Sequence, residues 1–143
     1  MRINSTGGDA YTLYTLDLGY MVGVAVDTTG ILYIGLQSGE IYTVDLSNGT
    51  YNLVTTANIQ LTSITINPLT NEMWASPKVV IGQKDKIYKI DLNTGVATLI
   101  GETGFDVLTI DITFDELGLL YGTVGLPTEI GKLIEIDTTT ALG

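Results

Sequence analysis

The feature that most constrains this chain is that it repeats itself. Gly39-Glu40-Ile41-Tyr42-Thr43-Val44-Asp45-Leu46-Ser47-Asn48-Gly49 returns as Asp85-Lys86-Ile87-Tyr88-Lys89-Ile90-Asp91-Leu92-Asn93-Thr94-Gly95. It returns again as Gly131-Lys132-Leu133-Ile134-Glu135-Ile136-Asp137, so Asp45, Asp91 and Asp137 follow one another at intervals of 46 residues. A fixed period of that size means one supersecondary unit stacked on copies of itself, because a single unit cannot bury its apolar face alone.

A strand–turn–strand pattern precedes each copy: residues 22–34, 62–75 and 110–122. Large apolar residues alternate with small or polar ones at Val22, Val24 and Val26, the period of a strand. The intervening turns carry Asp, Asn, Pro or Gly, which suit tight turns. A third short element, 50–55 and then 96–101, follows the Gly that ends the first two copies. No stretch sustains a helical period. Each unit therefore reads as four short antiparallel strands, a to d, and the chain as an all-β fold of three β-propeller blades. The blades fall at 20–60, 61–107 and 108–143.

The run Val24-Ala25-Val26-Asp27-Thr28-Thr29-Gly30-Ile31-Leu32-Tyr33-Ile34 resembles the blade motif of NHL, YVTN and gluconolactonase-type propellers. Thr94-Gly95-Val96-Ala97-Thr98-Leu99-Ile100-Gly101 is similar to repeats of bacterial secreted propellers. The resemblance implies fold rather than activity, since these are blade-building residues. It favours an extracellular or periplasmic location, although the first residues lack the apolar segment of a secretory leader.

The repeat is out of frame at both ends. Ser5-Thr6-Gly7 matches Asn93-Thr94-Gly95, so residues 11–18 read as a strand d without a blade of its own. The third blade runs out after Asp137, and the Gly of its c–d turn is replaced by Ala141. Residues 11–18 are expected to complete a last blade. Three blades are fewer than the four to eight that close a propeller. The preferred assembly is a homodimer forming a six-bladed ring. The competing reading is a piece excised or engineered from a longer propeller.

Composition narrows the chemistry. There is no Cys and no His, which removes thiolate chemistry, disulfides and the commonest general base. Sixteen acidic residues against six basic ones give a net charge of −10, which argues against nucleic acid as a partner. No apolar run approaches the ~20 residues of a membrane helix, so no membrane partner is expected. Four of the six bases, Lys78, Lys84, Lys86 and Lys89, lie close together in sequence.

On such a scaffold the b–c and d–a loops share one rim, and rim loops are where binding concentrates. The candidate rim residues are Gln37, Lys78, Gln83, Lys84, Phe105, Thr128 and Glu129. Asp45, Asp91 and Asp137 recur beside turns and read as caps of local backbone donors, not as metal ligands or catalytic acids. Asp111 stands where the other blades carry Gly23 and Ser63, on the innermost strand, and is the candidate channel residue. Tyr33, Trp74 and Tyr121 occupy one equivalent position on strand b and are expected to pack between blades.

Two function classes follow. One is a non-catalytic module, a self-assembling scaffold or a binder of protein or glycan, with no cofactor and no metal. The alternative is a six-bladed lactonase or hydrolase-like enzyme. Resemblance to those enzymes implies a channel metal held by Glu, Asn and Asp, for which this chain offers Asp111 with Asn58 or Asn67.

Overall fold

The computed structural model describes residues 2–3, 10–78, 84–105, 109–125 and 131–143. A short hairpin comes first, β1 (Arg2–Ile3) with β2 (Ala10–Tyr11). The first blade follows as β3 (Met21–Val26), β4 (Leu32–Leu36), β5 (Glu40–Val44) and β6 (Tyr51–Thr56), each hydrogen-bonded to the next. The second is β7 (Leu61–Ile66), β8 (Met73–Pro77), β9 (Lys86–Ile90) and β10 (Ala97–Glu102) in the same meander. The third, among the described residues, has three strands, β11 (Thr109–Phe114), β12 (Leu120–Val124) and β13 (Lys132–Ile136). All paired strands are antiparallel, as the alternating pattern and short turns require.

Register makes the three blades superimposable. Ala25 lies opposite Tyr33, Thr65 opposite Trp74 and Thr113 opposite Tyr121. Gly23, Ser63 and Asp111 lie opposite Gly35, Ser76 and Thr123. One bulge recurs on the innermost strand, between Met21 and Gly23, Leu61 and Ser63, and Thr109 and Asp111. A bulge repeated at one position is a designed bend of that strand.

The turns are built by the acids the repeat carries. At the a–b turns, Asp27 Oδ1 accepts from the Thr29 and Ile31 amides at 2.9 Å, and Asp115 Oδ1 from Leu117 and Leu119 at 2.9 and 2.8 Å. Asn67 does the same for the Leu69 amide at 2.8 Å. At the c–d turns, Asp45, Asp91 and Asp137 accept from the amides of Ser47, Asn93 and Thr139 at 2.8, 2.8 and 2.7 Å. The repeated carboxylates are thus turn caps.

The core lies between blades. One apolar cluster joins the first blade to the second through Ala25, Tyr33, Ile41, Ile64, Ile66 and Met73. Another joins the second to the third through Trp74, Ile87, Ile112, Leu120, Val124 and Ile134. Trp74 is fully buried and meets Phe114 edge-on, with centroids 5.4 Å apart. Lys89 sits 5.0 Å over the Trp74 ring and also pairs with Glu72 at 2.9 Å. Tyr33 is buried and Tyr121 half-buried.

Among the described residues, the two terminal faces are these same packing surfaces without a neighbouring blade. Ile41 and Ile87 are 0% exposed, whereas their third-blade equivalent Leu133 is 73% exposed. On the opposite side, Ile64 and Ile112 are 2% and 3% exposed, whereas their first-blade equivalent Val24 is 62% exposed.

The strand expected over residues 11–18 forms a ladder only at Tyr11, and residues 12–18 run on without one. The hairpin pairs Ile3 with Ala10, the same seven-residue spacing as Val44 with Tyr51 and Ile90 with Ala97. The segment lies against the first blade as β6 lies against the second. A Cβ on Gly49 would strike the Tyr14 ring, just as one on Gly95 would strike Thr56 O. Tyr14 Oη also donates to Leu46 O at 3.2 Å. Residues 12–18 thus hold the place of a preceding blade's outer strand, and among the described residues none pairs with them in a ladder.

Candidate binding rim and channel mouth

The innermost strands β3, β7 and β11 line up side by side, and an open depression of about 530 Å³ lies across one end of them. It is lined by Tyr20, Met21, Gln37, Thr62 and Asp111 among others. Two of the sequence candidates, Gln37 and Asp111, therefore face one space. A third joins them, because Lys78 Nζ donates to Gln37 Oε1 at 3.2 Å.

Gln37 is held by backbone bonds on both sides. Its amide donates to Tyr20 O at 2.8 Å, and its carbonyl accepts from the Leu61 amide at 3.0 Å. The Lys78 amide donates to Gln60 O at 2.9 Å, the same bond one blade on. Gln37 and Lys78 are thereby tied to the starts of the innermost strands of the first two blades, the kind of anchoring that makes rim positions a rigid platform.

Asp111 sits on β11 beside Ser63 of β7. Ser63 Oγ donates to Asp111 Oδ1 at 2.5 Å, and the Ile112 amide donates to the same oxygen at 3.0 Å. The Ile112 amide also reaches Ser63 Oγ at 3.2 Å. The side chain is exposed toward the depression. Its suggested companions are engaged in other work. Asn58 Oδ1 accepts from the Ala97 amide at 3.0 Å, and Asn67 Oδ1 from Leu69 and Thr70. Among the described residues no group of three or more His, Cys, Asp or Glu is placed to hold a metal ion.

The remaining candidates are dispersed. Lys84 is exposed at the foot of the second blade's b–c loop. Phe105 is half-buried against the second core cluster, with Lys132 Nζ 5.5 Å above its ring. Gln83, Thr128 and Glu129 lie outside the described residues. Tyr20, Met21 and Thr62 line the depression and were not singled out from sequence. Their one signal is position, since each lies at or next to the first residue of a strand a.

Electrostatics at the turns follow from the caps. Burial works against the Asp27 carboxylate, but the Thr29 hydroxyl and the amides of Ile31, Thr29 and Gly30 outweigh it and hold the carboxyl below its ordinary value. Burial, reinforced by the Asp27 charge, pushes the Tyr33 phenol up. Hydrogen bonds from the Thr139 side chain and from the Thr139 and Thr140 amides lower Asp137 from 3.8 to about 2.

Repeated antiparallel blades of up to four strands, packed face to face with their first strands innermost, are the architecture of a β-propeller, and the chain has that fold. Solved structures agree. The PQQ-bound aldose sugar dehydrogenase of Streptomyces coelicolor matches with a TM-score of 0.63 and 16% identity, over 89% of this chain and 47% of that one. A putative glucose dehydrogenase of Thermus thermophilus matches with a TM-score of 0.62 and 16% identity, over 86% and 45%. BamB of Moraxella catarrhalis matches with a TM-score of 0.52 and 16% identity, over 87% and 36%. The chain spans less than half the length of each. No protein-family model and no curated protein sequence matches it. The neighbours include dehydrogenases and proteins of other kinds, so the likeness defines the fold alone.

Proposed function

We propose that this chain is a non-catalytic propeller module that assembles with a second copy into a six-bladed ring, a scaffold whose shared rim binds protein or glycan. The observation that carries this reading is the pair of open end faces. The apolar packing between the first and second blades, where Ile41 and Ile64 are buried, is repeated between the second and third, where Ile87 and Ile112 are buried. The free face of the third blade and the free face of the first are the two halves of that contact. Two copies related by a two-fold axis bring each free face onto its complement twice over and leave none open. Two sets of three blades give six, within the range that closes. Residues 12–18, already seated as an outer strand against the first blade, then meet β13 of the second copy, which takes the place of β1 at Ala10 and Tyr11. The ring also closes the depression around Gln37, Lys78 and Asp111 into a two-fold rim.

Solution mass tests this directly. Light scattering after size exclusion is expected to give twice the 15.3 kDa of one chain. A monodisperse species at one chain mass overturns the reading.

A further inference from the structure

We infer that Asp111 and Thr113 are the acceptors onto which the innermost strand of a second copy docks, through the backbone amides of its Val24 and Val26. This rests on the assembly proposed above and specifies its chemistry at the channel. The innermost strand of every blade has one edge paired to strand b and one edge facing its neighbours. Backbone donors on that second edge still need acceptors. At the seam between the second and third blades they have them. The Ile112 amide donates to Ser63 Oγ at 3.2 Å and the Phe114 amide to Thr65 Oγ1 at 3.4 Å. Two hydroxyls of one blade thus take two alternate amides of the next.

By register, Asp111 and Thr113 are the third-blade equivalents of Ser63 and Thr65. Val24 and Val26 are the first-blade equivalents of Ile112 and Phe114. The first seam is made differently. Gly23 has no side chain there, and a Cβ on it would come within 2.8 Å of the Ile64 amide nitrogen, so the strands approach directly. The sequence at this position therefore runs Gly, Ser, Asp along the three blades. A carboxylate suits an open seam. It only accepts, so it needs a donor, and it retains capacity beyond the bonds from Ser63 and Ile112. A backbone amide given to a carboxylate makes a charge-assisted bond, stronger than one between neutral partners.

The test is amide hydrogen exchange by NMR on the full chain, at concentrations above and below association. Val24 and Val26 amides are expected to exchange about tenfold or more slowly in the associated species, joining Ile112 and Phe114. Asp111→Ala is expected to weaken association about tenfold and return Val24 to fast exchange. Asp111→Asn, which keeps an acceptor oxygen and the shape, is expected to retain the protection of Val24. A dimer in which Val24 and Val26 exchange as they do in the monomer overturns this inference while leaving the assembly standing. A chain that stays monomeric overturns both.

Discussion

Asp27, Asp45, Asp91 and Asp137 show how a single side chain type can be read from sequence when its role is local. Each lies two residues before the amide it caps, and the geometry is set within one turn. Their repetition in equivalent places pointed to structure, and the observed bonds bear that out. A pH dependence follows. The Asp137 carboxyl is lowered to about 2 in the folded chain from 3.8, chiefly by the Thr139 hydroxyl and amide. Its stabilising effect is therefore complete above about pH 3.8 and is lost as pH falls through about 2. Asp27, Asp45 and Asp91 are lowered in the same direction. The melting temperature is expected to fall across that acid window, and Asp137→Ala to flatten the fall, as circular dichroism melts at stepped pH would show. A slope unchanged by the substitution would count against the cap.

At the scale of elements, the c–d turn is the most exacting part of the blade. Its last residue is left-handed in every copy, with φ of 77° at Gly49, 74° at Gly95 and 64° at Ala141. Each closes the turn by donating its amide to the aspartate carbonyl at 2.8 Å. A β-carbon in this conformation costs about 1–2 kcal/mol. Ala141 tolerates it because its methyl is fully buried in the second core cluster. Gly95 has no such room, since a Cβ there would lie 2.2 Å from Thr56 O, which is backbone. Gly95→Ala is expected to destabilise by clearly more than Gly30→Ala, where φ is also positive but nothing lies within 4 Å. Urea unfolding of the two variants decides it, with about 1–2 kcal/mol expected for the latter from conformation alone. The outer strand at 11–18 failed to form beyond Tyr11 for a different reason. Its pattern is adequate, but a strand forms only against a partner, and among the described residues only β1 pairs with it, at Ala10 and Tyr11.

At the scale of the molecule, stability resides in the seams between blades. Burying one large aliphatic side chain contributes about 1.5–3 kcal/mol. Leu133 and Val24 are left exposed where their equivalents are buried, so each would gain that much on burial in the proposed six-bladed ring. Leu133→Asp and Val24→Asp are each expected to shift the solution mass to one chain. They are also expected to remove any dependence of the melting temperature on protein concentration, because only an associating protein shows one. If neither variant alters the mass of an associated wild type, the seam lies elsewhere.

The sequence by itself determined the unit and its count. A period of 46 residues, alternation of period two, and Asp or Gly at fixed places are local or repeating signals, and they specify strands, turns and blades without reference to what lies across the molecule. It also determined which residues are equivalent, since a register repeated three times can be counted. What only the tertiary structure decided was adjacency between blades. That Gln37 takes Lys78, that Ser63 joins Asp111, that Asn58 serves Ala97 and that residues 12–18 rest on the Gly49 turn all depend on how one sheet stacks on the next. Stacking is set by side-chain volume at the seams, a glycine here and a serine there, and that leaves no period in the sequence to read.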